Sequence, residues 1–248
     1  MVTVKSAQEI ELMRQANMIV RDTLDLVGKT IKAGMTTAQV DKLVYDYITS
    51  CGARPSFLGY EGYPASACVS INEEVVHGIP SPKRFIKEGD IVSVDVGSIY
   101  KGYNGDAART FMIGEVDAEK KKLVEVTKQS FFEGIKVLKE GARLGDLGWA
   151  IQSYVESHGF SVVRALVGHG IGTDMHEDPS VPNYGTAGRG MRLKAGMTIA
   201  IEPMVNAGTF DVKVLADDWT VVTRDGRPSA HYENTVVITK DGCEILSL

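Results

Sequence analysis

The sequence contains one internal repeat at an offset of 107 residues, and a repeat of this length limits the folds open to the chain. The offset pairs similar residues in two helix-like segments: Gly34 with Gly141, Val40 with Leu147, Val44 with Ile151, Tyr47 with Tyr154, Ser50 with Ser157 and Gly52 with Gly159. It also aligns KEGDIVSVDV, which contains Asp95, with KAGMTIAIEP, which contains Glu202. One register thus covers both helices and strands. We interpret the chain as a duplicated helix–helix–strands unit, because a solenoid needs at least three repeats.

Local signals predict the same order of elements in both halves. A capping box at Ser6 and Glu9 opens a long helix that we expect to end at Gly34, and Thr36 begins a second helix running to about Cys51. After Gly114 we predict helices over 117–139 and up to about 158. Strands that follow helix pairs favour an α+β fold with antiparallel strands over a doubly wound parallel sheet. We expect residues 1–248 to form a single catalytic domain, with pseudo-repeat halves of approximately 1–113 and 114–248.

The segment IVSVDVGSIYKGYNGDAARTFMI, Ile91 to Ile113, reads as two strands with one carboxylate in each. A symmetric hairpin centred between Tyr100 and Lys101 would place Asp95 directly opposite Asp106, with their Cβ atoms about 4.5–5.5 Å apart. Two like charges at that distance need a cation nearby or a raised carboxyl pKa. A solvated turn with two exposed aspartates is the alternative.

The second half repeats the pair of carboxylates, with Glu202 in an apolar run and Glu233 at the start of the last clear strand. Between them lies the glycine-flanked His169, followed seven residues later by His176. Four carboxylates balance two divalent cations, with one imidazole completing the ligand set. Such oxygen-rich ligation suits Co, Mn, Fe or Zn in a catalytic role, and affinity order does not identify the physiological metal. Four separately satisfied acids are the alternative, which the matched repeat positions disfavour.

Composition excludes several classes of protein. The formal net charge of −5 argues against sequence-specific nucleic-acid binding, and no apolar stretch approaches the length of a membrane span. Three widely spaced cysteines argue against a disulfide framework. We therefore expect a cytoplasmic protein with no membrane association.

Several motifs, in order and with matching spacing along the whole chain, resemble type I methionine aminopeptidase. They are His77-Gly-Ile-Pro, the Asp95/Asp106 pair, Gly168-His-Gly-Ile-Gly with His176-Glu-Asp-Pro, Ala200-Ile-Glu-Pro-Met and Tyr232-Glu-Asn-Thr. The resemblance implies the pita-bread fold, a curved antiparallel sheet covered by two helix pairs with an internal pseudo-twofold duplication. It implies metal-dependent removal of the initiator methionine from nascent polypeptides, by a monomer near the ribosome, with a small second residue preferred. A water activated by two metal ions would attack the first peptide bond.

The resemblance also assigns residues. It implies five metal ligands: Asp95, Asp106, His169, Glu202 and Glu233. Glu202 matches the family's general base, His176 the histidine that contacts the scissile amide, and His77 a second histidine facing the substrate. The implied walls of the methionine pocket are Tyr60, Tyr63, Cys68, Met175 and Trp219. Aromatic faces and a soft sulfur suit a flexible thioether.

The chain departs from the family pattern at Phe57, Leu166 and Met175, which concerns pocket shape rather than the ligands. His231, two residues before Glu233, is either a partner of the ligands or a satisfied strand histidine, and we favour the latter. Two other functions are open: an X-Pro aminopeptidase or prolidase-like relative, and a non-catalytic binding module on the same fold. The first usually carries an extra N-terminal domain, and the second typically loses metal ligands.

Overall fold

The computed structural model describes residues 2–248. Four long helices are present in this range: α1 (Ala7–Thr30), α2 (Thr37–Ser50), α3 (Ala118–Ile135) and α4 (Leu144–Ser157). The strands are β1 (Arg54–Pro55), β2 (Ala67–Ile71), β3 (Glu74–Val76), β4 (Ile91–Tyr100), β5 (Tyr103–Met112), β6 (Ser161–Val162), β7 (Gly168–Gly170), β8 (Glu177–Val181), β9 (Thr198–Ile201), β10 (Met204–Asn206), β11 (Val212–Val214), β12 (Val221–Thr223), β13 (Ser229–His231), β14 (Asn234–Ile238) and β15 (Cys243–Ile245). No helix in this range is long and apolar enough to cross a membrane.

The predicted helix starts are confirmed, but two helices end earlier than expected. Ser6 and Glu9 form the capping box of α1, which stops at Thr30 because Ile31 adopts an extended backbone. Helix α3 stops at Ile135 rather than near residue 139. There the main chain changes to shorter-range bonds, with the Leu138 N–H donating to the Ile135 carbonyl at 3.1 Å.

The repeat is visible in the structure. The bounds of α2 and α4 differ by 107 residues at both ends, and β4 and β9 begin at residues with the same offset. The isolated bridges between Thr36 and Phe85 and between Arg143 and Arg192 obey the same offset. Each half has its own apolar core. Helices α1 and α2 pack on β2 and β4, and α3 and α4 pack on strands that include β9 and β14.

The register of the β4–β5 hairpin corrects our expectation. Tyr100 pairs with Tyr103, so Asp95 lies opposite Ala108 and Asp106 lies opposite Gly97. The two aspartates are therefore diagonal neighbours rather than a direct pair, although their carboxyl groups still interact. The cause is the turn at Lys101 and Gly102, which both have positive φ (50° and 85°) and form a two-residue connection.

All strand pairs are antiparallel, as expected, and they fall into four hydrogen-bonded groups. The two halves meet where β5 runs beside the start of β14. The Glu233 N–H donates to the Ala108 carbonyl at 3.0 Å, and the Thr235 hydroxyl donates to the Asp106 carbonyl at 3.0 Å. This seam brings the carboxylates of the first half against those of the second.

Candidate metal centre

The five predicted ligands converge from five points of the chain at this seam. Asp95 and Asp106 extend from β4 and β5, and His169 lies in β7, which pairs with β9. In the β9–β14 pair, Ile201 lies opposite Asn234, so Glu202 and Glu233 occupy adjoining positions at one end of the ladder. Their side chains meet although 31 positions separate them in the sequence.

The glycines around His169 allow its strand to lie very close to its neighbours. A Cβ at Gly168 would lie 2.4 Å from the Ala200 carbonyl oxygen, and one at Gly170 would lie 2.1 Å from that of Asp178. Any larger residue would push β7 away from β8 and β9. The glycines thus hold His169 on a strand that packs closely against both neighbours.

The donor atoms of Asp106, His169 and Glu233 all lie within 4.8 Å of one another. His169 Nδ1 lies 2.9 Å from the Gly170 carbonyl oxygen, to which it donates. The lone pair of the neutral ring is therefore on Nε2, which lies 3.5 Å from both Asp106 Oδ2 and Glu202 Oε1. A lone pair that faces two carboxylates is unfavourable unless a metal cation or a carboxyl proton lies between them.

Burial raises the pKa of all four carboxyl groups. Burial raises the pKa of Asp95 to about 7. It also raises the pKa of Asp106, Glu202 and Glu233 well above the ordinary range, and neighbouring carboxylates add to each rise. Burial lowers the pKa of His169 to about 4, so its ring is neutral at physiological pH.

Several carboxylate oxygens have no partner. Among residues 2–248, Asp95 Oδ1, Asp106 Oδ1 and Glu233 Oε1 are buried without any hydrogen bond. Buried polar atoms are rarely left in this state, because each costs about 1–3 kcal/mol. Unpartnered oxygens that surround an imidazole lone pair are the donor set of a divalent cation, so the residues present fit a metal centre.

A cavity of about 140 Å³ adjoins the carboxylates. Its wall contains the predicted pocket residues together with Phe57: Phe57, Tyr60, Tyr63, Cys68, His77, Met175, His176 and Trp219. The rings of Tyr63 and Trp219 meet edge to face at 5.0 Å, and Met175 is buried against Phe57 and Tyr60. The structure thus brings every predicted pocket residue to one apolar cavity that ends at the proposed ligands.

His77 and His176 line both this cavity and a groove beside it. The Tyr60 hydroxyl lies 2.8 Å from His176 Nδ1, and the His176 ring is perpendicular to that of His169 with centroids 4.3 Å apart. His77 has a left-handed backbone, φ +59°, which is strained for a residue other than glycine. Burial lowers the pKa of both rings, that of His77 to about 4. Both are therefore neutral at pH 7.

Leu166 lies outside the inner cavity. It lines a wider neighbouring groove of about 620 Å³ that His77, His169 and His176 also border. Of the three departures from the family pattern, only Phe57 and Met175 therefore touch the inner pocket.

Two residues near the site were misjudged or missed. The expectation that His231 is a satisfied strand histidine is wrong, because its Nε2 is buried without a partner among residues 2–248.

Arg109 was missed. Its guanidinium donates to the Glu233 carbonyl at 2.5 Å and to Asn234 Oδ1 at 2.8 Å, fixing the start of β14. An arginine three positions after Asp106 in an apolar strand was the available signal.

Comparison with known proteins defines the class. The sequence model that describes metallopeptidase family M24 matches residues 11–240, and the chain belongs to this family. It is 58% identical over 248 residues to methionine aminopeptidase from Clostridium acetobutylicum, covering 100% of this chain and 99% of that relative. The crystal structure of methionine aminopeptidase from Thermotoga maritima matches with a TM-score of 0.98 and 50% identity, covering 100% of this chain and 99% of that chain.

A more distant neighbour shares the fold alone. Prolidase from Pyrococcus furiosus matches with a TM-score of 0.79 at 23% identity, and the match covers 99% of this chain but 65% of that one. These neighbours confirm the expected pita-bread architecture. Membership of a metallopeptidase family also implies a divalent metal, in agreement with the donor set found here.

Proposed function

We propose that this metallopeptidase removes the N-terminal methionine from polypeptides, with a small second residue preferred. One observation carries the proposal: a buried cluster of four carboxylates and His169 forms the floor of an apolar, thioether-sized cavity. The methionine side chain would lie against Tyr63, Cys68 and Trp219. Its peptide bond would then lie over the carboxylates.

Asp95, Asp106, His169, Glu202 and Glu233 would hold the metal. Their four negative charges match two divalent cations, and the ligand types suit Co, Mn, Fe or Zn. When bound, such ions polarise a peptide carbonyl and lower the pKa of water.

The remaining chemistry belongs to the side chains of this protein. If the Tyr60 hydroxyl donates to His176 Nδ1, the proton of that ring lies on Nε2. From there it can donate to the carbonyl oxygen of the scissile bond as negative charge develops. Glu202 would accept a proton from the attacking water. His77 would contact the substrate main chain near the leaving group.

The same proposal concerns the setting of the reaction. We infer that residues 1–248 act as a single catalytic domain and as a monomer on nascent chains near the ribosome in the cytoplasm. The three free cysteines are consistent with a reducing compartment. The wider groove beside Leu166 has room for the rest of the polypeptide.

The test is release of free methionine from the peptides Met-Gly-Met-Met and Met-Leu-Met-Met after chelation, with and without added Mn²⁺ or Co²⁺. We expect metal-dependent cleavage of the first and cleavage at least about 100-fold slower for the second. An Ala-Pro-Ala peptide tests the X-Pro alternative and should remain intact. Cleavage of that peptide alone would replace the proposal with the X-Pro activity. Metal binding without any cleavage would indicate a binding module.

The variant His176→Ala separates catalysis from metal binding. It should keep its metal content and lower kcat for Met-Gly-Met-Met by about 10²–10³, the usual loss for one transition-state donor. A change confined to KM would contradict the role given to His176.

A further inference from the structure

His231 lies directly behind two of the proposed ligands. It ends β13, is 2% exposed, and its Nε2 lies 3.9 Å from both Glu202 Oε2 and Glu233 Oε2. Among residues 2–248 this nitrogen has no hydrogen-bond partner. An unpartnered nitrogen between two carboxylates calls for a physical account.

We propose that His231 is a positioning residue that donates its Nε2–H to the outer oxygens of Glu202 and Glu233 and so holds both carboxylates in their metal-binding orientation. The inference rests on the proposed metal centre. At 3.9 Å the contacts are not yet hydrogen bonds, and a shift of about 1 Å by either carboxylate would make one. Catalytic hydrogen bonds are often long before the site is fully assembled.

The main chain of His231, which carries the ring, is anchored on both sides. Its N–H donates to Thr110 Oγ1 at 2.9 Å, and the same hydroxyl donates back to the His231 carbonyl at 2.8 Å. Ser93 Oγ lies 2.8 Å from Thr110 Oγ1 and supports it from β4. On the other side His231 pairs with Met204 of β10. The ring is thus held by both halves of the molecule.

The proton of His231 belongs on Nε2. The ring is 2% exposed, and a neutral imidazole carries a single N–H, on either Nδ1 or Nε2. A lone pair on Nε2 would face two carboxylate groups, whereas an N–H there faces two acceptors. A buried N–H without an acceptor costs about 1–3 kcal/mol, which favours drawing a carboxylate oxygen onto it.

His231 differs from the ligand His169. A ring nitrogen of His169 lies within 4.8 Å of donor atoms of Asp106 and Glu233. Within residues 2–248, this group of possible metal ligands does not include His231. Glu202 lies between the two rings, with Oε1 3.5 Å from His169 and Oε2 3.9 Å from His231. His169 therefore lies on the side of the Glu202 carboxylate that faces the proposed metal site, and His231 lies on the opposite side and supports it. Partners of this kind orient ligands and raise metal affinity.

The test compares His231→Gln with His231→Asn. The amide nitrogen of Gln reaches the position of Nε2, whereas that of Asn reaches only the position of Nδ1. We measure Mn²⁺ affinity of the chelated proteins by calorimetry, and kcat and KM separately for Met-Gly-Met-Met. We expect His231→Asn to bind Mn²⁺ about 10–100-fold more weakly and His231→Gln to stay within about threefold of the wild type.

Equal losses in both variants would show a packing role and overturn the inference, as would wild-type affinity in His231→Asn. If the Asn variant does not fold, Thr110→Val decides, because it keeps the ring and removes the hydroxyl that holds the His231 main chain in place. We expect weaker Mn²⁺ binding in Thr110→Val, and unchanged binding would overturn the inference. A wild-type protein that binds no Mn²⁺ would instead refute the metal centre itself.

Discussion

In the first half of the molecule, Asp95 and Asp106 lie on one uninterrupted hairpin of two ten-residue strands. In the second half, the corresponding strand β9 has four residues and ends at Ile201, directly before Glu202. Pro203 follows and has no N–H to donate to a ladder, so the pairing breaks there. The chain then makes an excursion through β11 and β12, which contributes Trp219 to the pocket, before it returns to Glu233.

The halves also contribute different side chains. The first half supplies two aspartates, most of the pocket wall and one histidine, His77. The second supplies two glutamates and the three imidazoles of His169, His176 and His231 that surround them. The duplicated frame thus places four carboxylates around a shared centre. The differences between the halves supply the groups that bind substrate and orient ligands.

The largest expected effect tests whether the halves act as one site. Asp106→Asn and Glu233→Gln should each lower turnover of Met-Gly-Met-Met by at least about 10³, since loss of metal chemistry removes several kcal/mol of stabilisation. Bound metal should fall in both, measured by elemental analysis, while circular dichroism stays unchanged. Asp46→Asn, an exposed carboxylate paired with Lys42, is the matched control and should retain full activity. Loss of turnover and bound metal in only one of these two variants would mean that the halves do not contribute equally to the site.

A smaller effect should appear in the stability of the metal-free protein. Burial raises the pKa of Asp95 from an ordinary 3.8 to about 7. A carboxyl group with a raised folded-state pKa contributes stability that is full below its unfolded pKa and lost as pH rises through the folded value. The Tm of the chelated protein should therefore fall by about 5 °C or more between pH 5 and pH 8.

Added Mn²⁺ should abolish most of this fall. Asp95→Asn from the first half and Glu202→Gln from the second should each make the chelated protein less sensitive to pH. A Tm that rises from pH 5 to pH 8 after chelation would contradict the buried-carboxylate cluster in both halves.

The smallest effect separates the two helix caps that the repeat aligns. Thr36 Oγ1 accepts a hydrogen bond from the Gln39 N–H at 3.2 Å, and Gln39 Oε1 accepts one from the Thr36 N–H at 2.8 Å. The matching residue of α4 is Arg143, whose guanidinium cannot accept a hydrogen bond. Urea unfolding of the chelated protein should show a loss of about 1 kcal/mol for Thr36→Ala. Arg143→Ala should stay within about 0.5 kcal/mol. Equal losses would show that the caps have not diverged.

The hairpin shows how close sequence reasoning can come and why it missed. The alternating pattern of β4 and β5 was sufficient to place one carboxylate in each strand. The predicted register of the two strands was wrong by two residues. The symmetric placement ignored Gly102, whose positive φ of 85° suits the second position of a two-residue turn. That signal was present in the sequence. By contrast, the sequence marks Arg109 only as an unusual charge in an apolar strand, and nothing local identifies Glu233 as its partner.

The sequence by itself determined the elements and the repeat. Caps, apolar periodicity and glycines act over a few residues, so Ser6, Thr36 and the glycines around His169 could be interpreted without a structure. The motifs around Asp95, Asp106, Glu202 and Glu233 likewise predicted a metal cluster. Only the tertiary structure decided how the halves close on each other, because that depends on contacts between residues more than a hundred positions apart. The position of His231 is the clearest case: its strand could be predicted, but the two carboxylates that its ring faces could not.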